Sequence, residues 1–146
     1  YSTTPLASSA RNIYGIYPEG MNTWETTFTQ SLDRDSNGIV LWWHRNESRK
    51  SCSVNVLMPN GRGFFPDFII GIRGRKTENN VLLLDPKFYF ADKEQHPKVQ
   101  SEHKIYGKVM IVFQDPAKRW FTVTWDYKKD APVAEREFRL SDAAGF

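Results

Sequence analysis

Two apolar runs separated by a short polar segment constrain this chain more than any other feature. Phe68 to Ile72 form the first run and Val81 to Leu84 the second, and glycine, asparagine and charged residues lie between them. Short apolar runs joined by such residues indicate the two strands of a hairpin. Because neither run alternates apolar with polar residues, both strands are expected to be covered on both faces. The sequence therefore predicts a hairpin in the middle of the core.

An acidic residue stands at the same end of each predicted strand. Asp67 precedes the first run, Asp85 follows the second, and Lys87 lies two residues further on. A hairpin centred near Lys76 would place Asp67 opposite Asp85, with Asp85 and Lys87 on one face of their strand. Two neighbouring carboxylates repel each other unless a proton or cation separates them, and a divalent cation with oxygen ligands satisfies both. The pattern predicts a metal site here; the alternative is three ordinary charges at the rim of the sheet.

Four short blocks of the sequence resemble the PD-(D/E)XK nuclease superfamily. Pro66-Asp67 and Asp85-Pro86-Lys87 are similar to its two half-motifs. The other two blocks are Asn22-Thr23-Trp24-Glu25 and Trp42-Trp43-His44-Arg45-Asn46. Their order is similar to that in the nuclease-like domains at the C-terminus of type III restriction subunits and related helicases. The resemblance extends from Ile13 to Asp126.

The resemblance implies both a fold and an activity. The fold would be α/β, a mixed central sheet with the restriction-endonuclease-like core order α-β-β-β-α-β. The activity would be that of a metal-dependent endonuclease domain that hydrolyses phosphodiester bonds, expected in DNA. Asp67, Asp85 and the Pro86 carbonyl would bind Mg²⁺ or Mn²⁺, Lys87 would be catalytic, and Glu25 would be a further catalytic acid. A helicase or motor region of the same or another chain is the implied partner besides the nucleic acid.

Two residues leave an inactive module open as the alternative function. Proline cannot donate to a strand ladder, so Pro86 is unusual in a core strand, although its carbonyl could still bind a metal. Asn22 is a good helix N-cap, which puts Glu25 where a capping box places its acid, so Glu25 either caps the helix or serves the metal. A domain with these features could bind or dock nucleic acid with the same fold and no cleavage.

Several basic and polar residues are candidates for nucleic-acid contacts. Arg45 could contact phosphate or pair with a nearby acid. A second helix is predicted from Pro97 to about Tyr106, although its apolar stripe is thin, and it would carry a polar, basic edge. The candidates in the hairpin loop and on this edge, each with a simple solvated surface role as the alternative, are Arg73, Arg75, Lys76, Gln100 and Lys104.

Length, charge and cysteine content limit the domain organisation, the partners and the compartment that we expect for the protein. The chain has 146 residues and a net charge of +3, which fits one domain, residues 21–146, after a loosely ordered lead-in at residues 1–20. The mild basic excess permits a polyanionic partner. A single cysteine, Cys52, excludes an internal disulfide and favours a reducing compartment. With no signal peptide and no apolar run of membrane-spanning length, we expect a cytoplasmic protein without a membrane partner. The sequence carries no indication of the oligomeric state.

Overall fold

The computed structural model describes residues 5–58, 60–75, 79–87, 102–103 and 105–145, with the backbone alone at Lys87, Glu102, His103 and Lys108. Within these residues the chain forms a helix and ten strands, followed by a C-terminal 3-10 helix, Leu140–Gly145. The helix and the strands in chain order are α1 Thr23–Asp33, β1 Val40–Arg45, β2 Val56–Leu57, β3 Gly63–Phe64, β4 Phe68–Ile72, β5 Val81–Lys87, β6 Glu102–His103, β7 Gly107–Lys108, β8 Met110–Gln114, β9 Trp120–Asp126 and β10 Ala131–Glu137.

Six of the strands form one mixed sheet in the order β1-β4-β5-β8-β9-β10. Neighbouring strands are antiparallel except for β5 and β8, which run parallel. The strand pairs β2–β3 and β6–β7 form two small separate sheets. The predicted α/β class with a mixed central sheet is confirmed.

The predicted hairpin, β4 and β5, lies in the middle of this sheet. Phe68 pairs with Leu84, Ile69 with Leu83 and Ile70 with Leu82, so the register is centred where the sequence pattern put it. Every residue of β4 is buried, as are the β5 residues 81–86. The continuous apolar runs therefore predicted both the pairing and the burial on two faces.

Different elements cover the two faces of the hairpin. Phe28 and Leu32 of α1 pack in one core cluster with Phe68, Ile70 and their neighbours on β5. On the opposite face, Ile69 belongs to a second cluster with residues from β2 and β3. The alternation of side chains along β4 thus divides one apolar strand between two cores.

Residues 7–17, within the lead-in that the sequence predicts to be loosely ordered, are hydrogen-bonded to β1 and to the end of α1. The amide of Trp43 in β1 donates to the Arg11 carbonyl at 2.9 Å, and the amide of Ile13 donates to the Trp43 carbonyl at 3.1 Å. Asp33, the last residue of α1, accepts hydrogen bonds from this segment and from β1: from Ser9 Oγ at 3.0 Å, Ala10 N at 3.1 Å, Arg11 N at 3.2 Å, Tyr17 Oη at 2.6 Å and Trp43 Nε1 at 2.8 Å. The small polar residues that suggested a loose segment are the donors that fix it.

The predicted second helix is also corrected. Glu102–His103 forms strand β6, which pairs antiparallel with β7, Gly107–Lys108, so no helix runs to Tyr106. Residues 97–101 lie outside the described part of the chain. A thin apolar stripe cannot hold a helix against a core, and Gly107, at a φ of 70°, favours a turn between two short strands.

Gly71 provides a test of the packing in the central hairpin. A Cβ at this position would lie 2.5 Å from Cε2 of the Trp42 indole on the neighbouring strand. We expect Gly71→Ala to lower the free energy of unfolding by about 2 kcal/mol, because the indole must move within a packed core. Urea denaturation measures this change. Gly145→Ala is the matched control, since a Cβ there meets no atom within 4 Å, and equal losses in both variants would contradict the packing argument.

The Asp33 carboxylate provides a second test, through pH. Burial raises the pKa of Asp33, but hydrogen bonds from Tyr17, Trp43, Ser9 and the Ala10 amide outweigh it and lower the pKa below its usual value. A lowered folded-state pKa stabilises the protein above the ordinary pKa of about 4, and this stabilisation is lost as the pH falls through the folded-state value. We expect Asp33→Asn to cost about 3 kcal/mol at pH 7 and progressively less below pH 4. Urea denaturation of both proteins between pH 3 and 7 checks this, and a pH-independent difference would contradict it.

Candidate functional site

The two acids of the predicted metal site lie at the end where β4 and β5 part. Phe68 and Leu84 are the last residues to pair, so Asp67 and Asp85 each lie one residue beyond the end of the β4–β5 pairing. Asp85 is 0% exposed, whereas Asp67 is half-buried. Both acids therefore lie at the same end of the hairpin, with Asp85 inside the sheet.

The position of Pro86 follows from the way the strands separate. Beyond Leu84, β5 continues beside β8 alone, where Pro86 pairs with Val112 and Lys87 with Phe113. A proline cannot donate to a ladder and is therefore found where a strand has lost a neighbour. Pro86 sits at such a place, which removes the conflict between a proline and a central strand. The side chain of Lys87 lies outside the described part of the structure.

A cavity of about 370 Å³ adjoins this strand end and contains three predicted site residues. Glu25 from α1, Arg45 from the end of β1 and Asp67 all line it, together with Asn46 and residues of the following loop. Glu25 and Arg45 are thus brought close to Asp67, although they are far apart in the sequence. Asp85 is not among the lining residues, since it is withdrawn into the sheet.

The Glu25 carboxylate caps α1 and pairs with Arg45. Its Oε2 accepts from the Asn22 amide at 2.8 Å, while the Glu25 amide donates to Asn22 Oδ1 at 2.9 Å, which completes a capping box. Its Oε1 accepts from Arg45 Nε at 3.3 Å and Arg45 Nη2 at 3.2 Å. The capping alternative for Glu25 and the ion-pair alternative for Arg45 are both confirmed. With Glu25 only 6% exposed, this pair joins the start of α1 to the end of β1.

Asn46 fixes the backbone that carries Asp67, a role the sequence did not assign. Its Nδ2 donates to the carbonyls of Pro66 at 2.8 Å and Val54 at 2.9 Å, and its Oδ1 accepts from the Val54 amide at 2.9 Å. The Asn46 amide also donates to the Asp67 carbonyl at 2.8 Å. The only signal in the sequence was the presence of Asn46 in one of the four blocks of the resemblance.

The basic residues predicted to cluster in the hairpin loop have different environments in the structure. Arg73 is exposed and its Nε donates to the Gly38 carbonyl at 2.8 Å. Arg75 is 3% exposed and donates to the Ala143 carbonyl of the C-terminal 3-10 helix at 3.1 Å, and burial lowers its pKa. Arg75 is therefore corrected from a surface residue to a buried one, because the C-terminal helix covers it. Lys76, Gln100 and Lys104 lie outside the described residues.

The oxygen donors at this strand end are of the type that Mg²⁺ prefers. In the described part of the chain, no three His, Cys, Asp or Glu side chains are grouped so that they could hold one metal ion. Mg²⁺, however, is commonly bound by one or two carboxylates together with waters and substrate phosphates. Asp67, Asp85 and the Pro86 carbonyl are groups of the kind that such a two-carboxylate site uses, and they are too few for a fully protein-ligated one.

Removal of the Asn46 side chain tests its role as a positioning residue. We expect Asn46→Ala to lower the free energy of unfolding by about 3 kcal/mol, because three hydrogen bonds of a buried amide are lost. Asn37→Ala is the matched control, since this exposed asparagine shows no side-chain hydrogen bond within the described residues, and we expect it to change stability by less than about 0.5 kcal/mol. Denaturant titration compares the two. A small loss at Asn46 would show that the start of β4 is held by other contacts.

Comparisons with known proteins do not assign this chain to a family. No protein-family model, curated protein or solved structure matches the chain. The resemblance to the PD-(D/E)XK superfamily therefore rests on the four sequence blocks and stays a prediction. Among the described residues, no helix has the length and apolar character needed to cross a membrane.

Proposed function

We propose that the protein is a metal-dependent endonuclease domain that hydrolyses phosphodiester bonds, with DNA as the expected substrate. The observation that carries the proposal is the strand register, which leaves Asp67 and Asp85 one residue beyond the last pair at the same end of the hairpin. The parallel pairing of β5 with β8 is compatible with the restriction-endonuclease-like core order, because parallel neighbours require a crossover connection. The connection from β5 to β8 spans residues 88–109, which is long enough for one.

Each residue of the proposed site has a distinct task. Asp67, Asp85 and the Pro86 carbonyl would hold Mg²⁺ or Mn²⁺. The metal, when bound, lowers the pKa of a water molecule and neutralises charge on the scissile phosphate. Lys87 would orient or deprotonate that water and stabilise the developing negative charge. Glu25 would join as a third acid only if a metal displaced the Arg45 guanidinium from its carboxylate.

The burial of Asp85 supports this assignment on physical grounds. A carboxylate withdrawn from water is stable only when cations or hydrogen-bond donors compensate the lost hydration. Asp67 lies at the same end of the neighbouring strand, so a cation between the Asp67 and Asp85 carboxylates would also reduce their mutual repulsion. In the proposed site a divalent metal, assisted by Lys87, would add to the interactions that Asp85 already makes within the protein.

A second candidate is a non-catalytic nucleic-acid-binding or docking module with the same fold. The specific observation in its favour is that Glu25 is held by the Asn22 amide and Arg45, so its carboxylate serves the helix cap and an ion pair. In this case exposed cations such as Arg73 would contact phosphate without cleavage. A helicase or motor region of the same or another chain would remain the expected partner in either case.

Asp85→Asn is the variant that separates the two candidates. For the nuclease, we expect the parent to nick a supercoiled plasmid with Mg²⁺ or Mn²⁺ and not with EDTA, and the variant to lose about 100-fold or more of this activity. Mg²⁺ should raise the melting temperature of the parent by ligand mass action and leave that of the variant unchanged. Without metal, the variant should be at least as stable as the parent near neutral pH, because one of two repelling charges is removed.

Asp142→Asn, at an exposed acid in the C-terminal 3-10 helix, is the control and should behave as the parent in both assays. If neither metal changes the melting temperature of the parent and the parent does not nick the plasmid, the result favours the non-catalytic module instead. A variant that is less stable than the parent without metal would indicate that Asp85 belongs to a structural ion pair.

A further inference from the structure

A second cavity, of about 520 Å³, opens between the N-terminal segment and the end of β1. We call it the Asn12 cavity. Its walls include Asn12, Tyr14 and Ile16 from the N-terminal segment and His44 from β1, and it shares Arg45 and Asn46 with the smaller cavity at Asp67. The volume lies in the range of small-molecule binding sites. No residue of the N-terminal segment was predicted from the sequence to take part in a site.

The first feature of the Asn12 cavity is a buried hydrogen-bond donor. Asn12 is 6% exposed, and its Oδ1 accepts from the Tyr14 amide at 2.8 Å, which fixes the orientation of the side-chain amide. Within the described residues its Nδ2 has no hydrogen-bond partner. An unpaired buried donor costs about 1–3 kcal/mol, and such groups call for a specific explanation. Because Asn12 lines the cavity, a small movement of its side chain would bring this donor to a ligand that carries an acceptor atom.

The second feature is an exposed aromatic ring at the same cavity. Tyr14 is 68% exposed, and its ring meets the His44 imidazole edge to face, with centroids 5.8 Å apart and planes at 73°. Burial lowers the pKa of His44, with the Glu47 charge opposing this in part, so the imidazole is neutral at pH 7. An aromatic side chain held by a neutral ring provides a platform on which a flat ligand can stack.

The third feature is the balance of charge around the cavity. The lining residues include two carboxylates, Glu19 and Glu47, and two cations, Arg45 and Lys50, so their formal charges cancel while His44 is neutral. A phosphate group gains little from such a site. An uncharged flat ring with acceptor atoms at its edge gains a stacking surface and the Asn12 donor.

We infer that the Asn12 cavity binds an unpaired nucleobase of the nucleic acid whose backbone is cut at the neighbouring strand end. The base would stack on Tyr14 and accept a hydrogen bond from Asn12 Nδ2, while its phosphates would stay outside the cavity. This inference rests on the proposed function and specifies the substrate class. Because a base inside a duplex is stacked and paired, the preferred substrate is single-stranded DNA or a duplex with an unpaired end.

The test measures binding without cleavage. In EDTA, fluorescence anisotropy gives the affinity of the parent for a labelled short oligothymidylate and for an abasic oligomer with the same number of phosphates. We expect the abasic oligomer to bind about tenfold more weakly, since stacking of a base contributes about 1–3 kcal/mol. We expect Tyr14→Ala to weaken binding of oligothymidylate about tenfold and to leave binding of the abasic oligomer unchanged.

Tyr127→Ala is the matched control, because Tyr127 is 71% exposed and does not line the cavity. Asn12→Asp is the second variant: it keeps the acceptor for the Tyr14 amide and removes the donor, so it should also weaken binding of oligothymidylate. Because the Tyr14 side chain is largely exposed, we expect Tyr14→Ala to fold even if Asn12→Asp does not. Equal affinity for the two oligomers, or equal effects of the two tyrosine variants, would overturn the inference.

The two proposals fail in different ways. Metal-dependent nicking together with base-independent binding would overturn the base site and leave the nuclease intact. Base-dependent binding that requires Tyr14, without metal-dependent nicking, would leave the base site intact in a non-catalytic module.

Discussion

The hydrogen-bonded carboxylate of Asp33 is the interaction on which the candidate sites most depend. Asp33 ends α1, and its two oxygens accept from Ser9, Ala10, Arg11, Tyr17 and Trp43. Because these donors come from both the N-terminal segment and β1, one ionised group joins three parts of the chain. Burial, together with the hydrogen bond to Asp33, raises the pKa of Tyr17 to about 12, so its hydroxyl stays protonated and can donate to Asp33 at neutral pH. The wall of the Asn12 cavity therefore depends on a charge that lies outside the cavity.

The parts of the fold predicted from sequence are those where one local pattern decides the outcome. Two apolar runs joined by a polar segment centred near Lys76 place the turn within that segment, and the position of the turn sets the register of the hairpin. The cap of α1 is equally local, because Asn22 and Glu25 satisfy each other within one turn. The sequence predicted only that Arg45 could pair with a nearby acid. Nothing in the sequence identifies Glu25 of α1 as that acid.

The parts that escaped prediction depend on contacts between distant segments. Ser9 and Arg11 belong to a stretch that looks loose, and only the position of Asp33 gives their amides and hydroxyl a partner. Thr122 lies in a strand whose other face is apolar, yet it is fully buried and its hydroxyl bonds to β10 at Glu135 and the Arg136 carbonyl. Polar residues that bond across the fold resemble solvated residues in the sequence. The Asn12 cavity was missed for the same reason, since its donor and its aromatic ring come from that stretch.

Three of the four blocks that carry the resemblance are joined by hydrogen bonds in the fold. Asn22 and Arg45 hold Glu25, while Asn46 holds the peptide of Pro66 and Asp67. Each of these contacts has a purely structural explanation, but together they fix Asp67 at the place where β4 parts from β5. A site that binds a charged substrate needs its first ligands held by such a second set of residues before the substrate arrives. Since Arg45 already pairs with Glu25, the proposed magnesium site would depend on the other two acids at this strand end, the half-buried Asp67 and the buried Asp85.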